Sequence, residues 1–143
     1  MRLTHTPSQA PADYSFAHDI RVRFCETDAM GIVHHAAYLP YLEEARVAWM
    51  RERGHPYERL RSEGFDAAVL EVFMQYLRPS RFDEIVAVRL QVVETTRTTF
   101  QVAYLLTVGE EVRATGVTVH GCVDANGRPV RLPAWLRDLA TDA

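Results

Sequence analysis

The order of its secondary-structure signals constrains the fold of this chain more than any other feature. Between residues 38 and 53, apolar residues recur at the i, i+3, i+4 and i+7 spacing of one helix face. These residues are Tyr38, Tyr41, Leu42, Ala45, Ala48 and Trp49. Pro40 fits only in the first turn, where amides lack intrahelical partners, and Gly54 suits the C-terminal end. We therefore expect an amphipathic helix of about four turns that starts between Ala36 and Leu39.

The other ordered segments have the alternation and the apolar content of strands. One of them, residues 19–25, precedes the helix. Four long runs follow the helix and cover residues 67–77, 85–94, 98–108 and 111–123. Gly109 and Glu110, between the last two runs, fit a type II′ hairpin. The order predicts an α+β fold in which a five-stranded antiparallel sheet wraps around one long central helix.

Length and composition indicate one soluble domain. A chain of 143 residues with 48% hydrophobic content can bury a single core. Residues 1–17 show no period that would fit a core, so we expect a flexible N-terminal arm followed by one domain over residues 18–143. This arm lacks the apolar stretch of a signal peptide, and no later run has the length of a membrane helix, which indicates a cytoplasmic protein without membrane insertion. The net charge of −3 argues against nucleic acid as a partner.

The thiols and imidazoles favour neither a disulfide nor a metal. Cys25 and Cys122 lie far apart without CxxC spacing, so we expect free thiols, with Cys25 buried or half-buried in the first strand. His34 and His35 are adjacent, and we expect their side chains to point apart. No histidine or carboxylate follows either of them at i+3 or i+4 on the helix. We therefore expect no metal site and no cofactor.

A carboxylate stands shortly before the predicted helix. Asp28 is followed by a loop of seven residues, Ala29 to His35, that leads into the helix. The first amides of a helix lack intrahelical partners and can stabilise a negative charge that develops on a carbonyl oxygen. Hydrolysis of a thioester requires few other groups, because the leaving thiol has a pKa of roughly 8.5 and departs readily. An aspartate in such a segment is also a common turn or cap residue, so both interpretations remain open at this point.

The run from Arg23 to Arg46 resembles the signature of the 4-hydroxybenzoyl-CoA thioesterase family of hotdog-fold enzymes, and it is similar to the Tol-Pal-associated thioesterases. The matching residues are Thr27, Asp28, Ala29, Gly31, Ile32, Val33, His34, His35 and Tyr38. The resemblance extends to the tripeptide Glu44–Ala45–Arg46 and to the closing residues Gly127–Pro133. It implies a hotdog-fold acyl-CoA thioesterase that releases a free acid and coenzyme A. In such an enzyme Asp28 is the nucleophile or the general base, Gly31 shapes the loop, and the backbone N–H of His35 polarises the thioester carbonyl.

The resemblance also implies how substrate is held. His34 and Tyr38 are expected to contact the acyl group. The candidates for the phosphates of coenzyme A are Arg97, Arg89, Arg113 and Arg128. Because His34 stands where relatives carry tyrosine or tryptophan, we expect a short-chain or aromatic acyl group rather than a long aliphatic chain. Hotdog relatives build each site from two subunits, so a dimer or a dimer of dimers, a homotetramer, is implied.

Four alternatives remain at this stage. A hotdog dehydratase or hydratase would need a histidine and a carboxylate on one substrate carbon, and a non-catalytic acyl-CoA-binding module would bind without hydrolysis. A related hotdog subgroup places its catalytic glutamate on the helix, where Glu43 and Glu44 lie. Acyl carrier protein could also replace coenzyme A as the thioester donor.

Overall fold

In the computed structural model, which describes residues 1–141, five antiparallel strands form one sheet against a long helix. The strands are β1 (Phe16–Arg21), β2 (Asp66–Tyr76), β3 (Ile85–Thr95), β4 (Thr99–Val108) and β5 (Glu111–Val123). The helices are α1 (Tyr38–Glu52), α2 (Tyr57–Ser62) and α3 (Ala134–Arg137). The sheet order is β1-β3-β4-β5-β2, so β1 and β2 are its edges. The predicted α+β hotdog architecture is confirmed.

Helix α1 packs its apolar stripe against one face of the sheet. Tyr41, Leu42, Ala45 and Trp49 are buried, as the helical period predicts. The helix starts at Tyr38, inside the predicted range, with Pro40 in its first turn. Gly54 follows its end with a φ of 78°, a left-handed conformation that glycine adopts without steric cost. The alternation in β3 and β4 supplies the other half of the core, since Val88, Leu90, Val102 and Tyr104 are also fully buried there.

The opposite face of the sheet is covered by the N-terminal segment. Tyr14 is buried and packs with Ala103 and Leu105 of β4. The backbone N–H of Thr4 donates to the side-chain oxygen of Gln101, 3.3 Å away. A short 3₁₀ turn at Pro11–Asp13 precedes β1. Residues of the predicted arm therefore pack on β4, and β1 begins two residues before residue 18.

Two predictions about the start of the chain need correction. The first strand covers Phe16–Arg21 rather than residues 19–25, and Phe24–Glu26 instead form a 3₁₀ turn. Cys25 lies in that turn and is exposed, whereas we expected it to be buried or half-buried in a strand. The alternating pattern continued past Arg21, but backbone pairing with β3 ends there. The short helix α2 was also missed, because its six residues are too few to show a helical period.

The edge strand β2 presents apolar side chains to solvent. Val69, Val72 and Phe73 are each 42–49% exposed. A long apolar edge strand is a ready template for pairing with another strand. None of the helices formed by residues 1–141 has the length and apolar character needed to cross a membrane.

The burial of α1 predicts a large stability difference between two neighbouring leucines. Leu42 is fully buried, whereas Leu39 is 42% exposed. Leu42→Ala should lower the free energy of unfolding by about 2–5 kcal/mol, because it leaves a cavity in the core. Leu39→Ala, the matched control, should lower it by less than about 1 kcal/mol. Chemical denaturation of both variants measures the difference, and equal losses would contradict the packing described.

Candidate active site

The loop that carries Asp28 is fixed by backbone hydrogen bonds. The N–H of Asp28 donates to the carbonyl of Ile32, and the N–H of Gly31 donates to the carbonyl of Asp28, both at 2.9 Å. Gly31 has a φ of 75°, which explains the need for glycine in this turn. The N–H of Val33 donates to the carbonyl of Ser80 at 2.8 Å and ties the loop to the segment between β2 and β3. The aspartate therefore sits on a fixed turn ahead of α1.

The Asp28 carboxylate is half-buried at the wall of a cavity of about 350 Å³. One of its oxygens accepts a hydrogen bond from the N–H of Met30 at 2.9 Å, the pattern of an aspartate in a turn. A carboxylate offers about four lone-pair directions, so this bond leaves capacity for a substrate or a water molecule. The cavity is lined by Asp28, Met30, Ile32, Val33, His35, Tyr38, Tyr76, Leu77, Arg78 and Pro79.

The backbone of His35 forms the other polar wall of this cavity. His35 opens a 3₁₀ turn, His35–Ala37, that leads directly into α1. Its carbonyl accepts a hydrogen bond from the hydroxyl of Tyr76 at 2.9 Å. Within residues 1–141 its N–H donates no hydrogen bond. An unpaired amide at the start of a helix can donate a hydrogen bond to the carbonyl oxygen that becomes negative during acyl transfer.

His34 caps this turn rather than lining the cavity. Its Nδ1 accepts a hydrogen bond from the N–H of Ala36 at 3.1 Å, and its side chain is exposed. The rings of His34 and His35 lie 4.1 Å apart, so the expectation that they point in different directions is wrong. The cap bends the His34 ring back over the turn, which brings it onto its neighbour. No group of three or more metal-binding side chains occurs in the part of the chain that the structure describes.

Glu26 holds the start of the loop. Its Oε1 accepts hydrogen bonds from the N–H of Arg23 at 2.7 Å and from the hydroxyl of Tyr41 at 2.8 Å. Burial of the carboxyl raises its pKa, but the hydrogen bonds from the Arg23 backbone, the Tyr41 hydroxyl and the Arg23 guanidinium outweigh it, so the pKa of Glu26 lies below its usual value. The same contact and burial raise the pKa of Tyr41. Sequence reasoning missed Glu26, although it stands two residues before Asp28.

Within a single chain, the predicted phosphate-binding arginines Arg97, Arg89 and Arg128 do not lie beside Asp28. Arg97 follows the C-terminal end of β3, whereas the Asp28 loop lies near the N-terminal end of this strand. The two ends of β3 are roughly 33 Å apart. It lies around a surface depression together with Arg131 and Arg137. Arg128 is exposed in the connection after β5. Arg89 lies on β3 between Val88 and Leu90, and therefore on the sheet face opposite α1.

The two helix glutamates have different surroundings. Glu44 is exposed and its carboxylate lies 3.1 Å from Nε2 of His18, so it pairs with β1. Glu43 lines a second cavity of about 320 Å³ near the C-terminal half of α1. Sequence reasoning missed this cavity, although a histidine on the inner face of an apolar strand, His120 in β5, was a signal that it could have used.

The comparisons with known proteins identify the family of this chain. Residues 22–139 match the family model of the thioesterase-like superfamily. A protein of Aquifex aeolicus named a putative esterase is 35% identical over 127 residues, which are 89% of this chain and 98% of that protein. A putative acyl-CoA thioesterase of Bacillus subtilis is 30% identical and covers 82% of this chain and 89% of its own length. A 1,4-dihydroxy-2-naphthoyl-CoA hydrolase of Synechococcus elongatus is also 30% identical, with 88% and 96% covered.

Solved structures show the same fold. A hypothetical protein from Aquifex aeolicus superposes with a TM-score of 0.82 at 35% identity, covering 87% of this chain and 98% of that one. A hypothetical protein from Thermus thermophilus superposes with a TM-score of 0.81 at 33% identity, covering 89% and 95%. The match to the broader superfamily leaves the narrower 4-hydroxybenzoyl-CoA and Tol-Pal relationships as predictions.

The contacts of Glu26 predict a pH-dependent stabilisation of the loop. A carboxyl whose pKa is lower in the folded state stabilises the protein above its unfolded value, near 4.5, and the stabilisation is lost as the pH falls through the folded value. At pH 7 we expect Glu26→Gln to be less stable than the unmodified protein by about 1 kcal/mol. The difference should decrease as the pH falls below 4.5 in denaturant titrations. Glu110→Gln, on the exposed β4–β5 hairpin, controls for the same chemical change. A Glu26 difference that does not decrease as the pH falls below 4.5 would contradict this explanation.

Proposed function

Because the chain belongs to the thioesterase-like superfamily and is a thioester hydrolase, we propose that it is an acyl-CoA thioesterase whose reaction is carried by Asp28 and the N–H of His35. The observation that carries this proposal is the cavity that both groups line. The Asp28 carboxylate is the basic group, and the unpaired His35 amide is the electrophilic group. The names of the acyl-CoA thioesterase of Bacillus subtilis and the naphthoyl-CoA hydrolase of Synechococcus elongatus support the acyl-CoA class.

The reaction adds water across the acyl–sulfur bond. The His35 N–H donates to the thioester oxygen as it becomes negative, and Asp28 either removes a proton from water or attacks the carbonyl carbon itself. The carbon–sulfur bond then breaks, and the sulfur leaves as thiolate and takes up a proton from solvent. A direct attack would form an anhydride that water hydrolyses. Because thiolate is a good leaving group, we propose that neither a metal nor a separate cofactor takes part.

We propose that the acyl group is short or aromatic. The cavity of about 350 Å³ next to Asp28 and the second cavity of about 320 Å³ are each in the size range of small-molecule pockets. The name of the relative from Synechococcus elongatus specifies a substrate with an aromatic acyl group. The free thiols of Cys25 and Cys122 fit a reducing, cytoplasmic location.

We propose further that the active form is at least a dimer joined through β2. This edge strand exposes apolar side chains, Val69, Leu70, Val72 and Phe73, that a second copy would bury. Antiparallel pairing about the centre of β2 puts the Asp66 end of one copy beside the Tyr76 end of the other. Tyr76 contacts His35, so the Asp28 cavity of one subunit then faces the remote half of its partner, where the arginines near Arg97 are available for the phosphates of coenzyme A. The Tyr14 segment covers part of the outer sheet face, which favours a dimer over a homotetramer that would pack through that face.

Removing the charge of Asp28 is the direct test of the proposed chemistry. Asp28→Asn should keep the fold and lower kcat for acyl-CoA hydrolysis by about 100-fold or more, because the amide neither removes a proton nor attacks a carbonyl. Asp19→Asn, on the exposed side of β1, is the matched control and should retain full activity.

Near-normal hydrolysis by folded Asp28→Asn would overturn the assignment. Glu43→Gln and Glu44→Gln should leave kcat within a few-fold of the unmodified protein. If Glu43→Gln instead abolishes turnover while Asp28→Asn does not, the helix-glutamate subgroup describes the chemistry better.

The proposed interface can be tested on β2. Phe73→Glu places a carboxylate on the apolar edge and should shift the protein to a monomer in light scattering, with loss of most activity. Phe82→Glu lies outside β2 at a phenylalanine of similar exposure, 54% against 47%, and should leave the assembly unchanged. A fully active monomer would contradict the shared site.

A further inference from the structure

The second cavity lies far along α1 from Asp28. It contacts helix residues between Glu43 and Met50, whereas the Asp28 cavity contacts Tyr38, the first residue of the helix. Its walls are mostly apolar and include Phe65, Phe100 and Trp135. A cavity of about 320 Å³ with such walls suits a small apolar group.

One wall of this cavity carries a chain of polar side chains. The guanidinium of Arg46 donates to the hydroxyl of Tyr104 at 3.1 Å. The Tyr104 hydroxyl lies 2.8 Å from the hydroxyl of Thr118, which lies 2.7 Å from Nε2 of His120. We call these four residues the Arg46–His120 relay. Both its ends, Arg46 and His120, line the cavity.

The chemistry of Arg46 fixes the direction of the relay. A guanidinium only donates, so the Tyr104 hydroxyl accepts from it and has its own proton available for Thr118. In residues 1–141 the Thr118 hydroxyl has no partners besides Tyr104 and His120, so its proton goes to Nε2 of His120. Burial and the positive charge of Arg46 lower the pKa of His120 to about 3, so the ring is neutral near pH 7. A neutral imidazole that accepts at Nε2 carries its hydrogen on Nδ1.

The Nδ1–H of His120 is a buried donor without a partner. His120 is 1% exposed, and Nδ1 makes no hydrogen bond to any described residue. The ring stacks on Phe100 with centroids 4.8 Å apart, which fixes its plane. A buried donor left unpaired destabilises the protein, so a ligand that offers an acceptor at this point is favoured over one that does not.

We propose that this cavity receives the acyl group of the substrate, and that His120 selects acyl groups that carry a hydrogen-bond acceptor oxygen over plain hydrocarbon ones. The inference rests on the proposed thioesterase function, since the acyl group is the part of the substrate with an apolar body. In the proposed dimer the cavity at the Asp66 end of β2 lies next to the Asp28 end of the partner, so the acyl group enters it from the partner's thioester. His120 is a specificity residue and touches no bond that breaks.

Two probes of nearly equal shape test the acceptor. Acetophenone carries a carbonyl oxygen where α-methylstyrene carries a methylene group. The unmodified full-length protein should bind acetophenone about tenfold more tightly, the size expected for one buried hydrogen bond. His120→Phe keeps an aromatic ring but removes the donor, and should bind both probes equally. Thr118→Val removes the group that holds the hydrogen on Nδ1 and should reduce the preference while leaving α-methylstyrene binding unchanged.

Nitrogen NMR of the His120 ring provides a readout that does not depend on folding of a variant. Acetophenone should shift the Nδ1 resonance of the unmodified protein, and α-methylstyrene should not shift it in the same way. Equal binding of the two probes, no binding of either, or an unmoved Nδ1 resonance would overturn the inference. With acyl-CoA substrates, a preference for acyl groups bearing an oxygen should fall about tenfold in His120→Phe. A protein that shows the binding preference but hydrolyses no thioester would refute the proposed function and leave the cavity assignment intact.

Discussion

The packing of α1 against one face of the sheet is the contact on which the rest of this structure depends. It buries Leu42, Ala45 and Trp49 against β3 and β4, and α1 is the single long helix among residues 1–141. The same packing fixes the direction of the helix, so its first turn faces the loop that carries Asp28. The core and the candidate chemistry therefore have one physical origin, the burial of one helix face.

The two cavities lie at opposite ends of α1, and the difference between them follows from the helix ends. At the N-terminal end the amide of His35 is unpaired within residues 1–141 and the loop supplies a carboxylate, which suits a reaction at a carbonyl. Toward the C-terminal end the walls are aromatic and apolar, which suits binding without chemistry. The exposed strand β2 runs alongside both, since Asp66, Ala67 and Val69 line one cavity and Tyr76 lines the other.

The Arg46–His120 relay is an unusual use of a buried position in an apolar core. Tyr104 and His120 are almost fully buried, and the first three members satisfy one another's hydrogen-bonding groups. A hydrogen bond offsets the free-energy cost of burying a polar group. The Nδ1–H of His120 makes no such bond to the described residues, so a ligand with an acceptor would stabilise it. Glu26 is the contrasting case, because its carboxylate is held by three donors and stabilises the loop rather than binding anything.

Sequence periodicity by itself determined the helix over α1, the four long strands and their order, because spacing along the chain decides which face of an element is apolar. The family resemblance of the run from Arg23 to Arg46, rather than periodicity, implied that Asp28 and the backbone of His35 meet at the start of the helix, and both line one cavity. The limits of β1 and the exposure of Cys25 were decided only by the tertiary structure, since a strand ends where its partner stops pairing and not where alternation stops. The same is true of the second cavity, where Arg46, Tyr104 and His120 come from three elements far apart in sequence. A helix turn or a strand alternation extends over a few residues, whereas such a contact exists only after the helix has packed on the sheet.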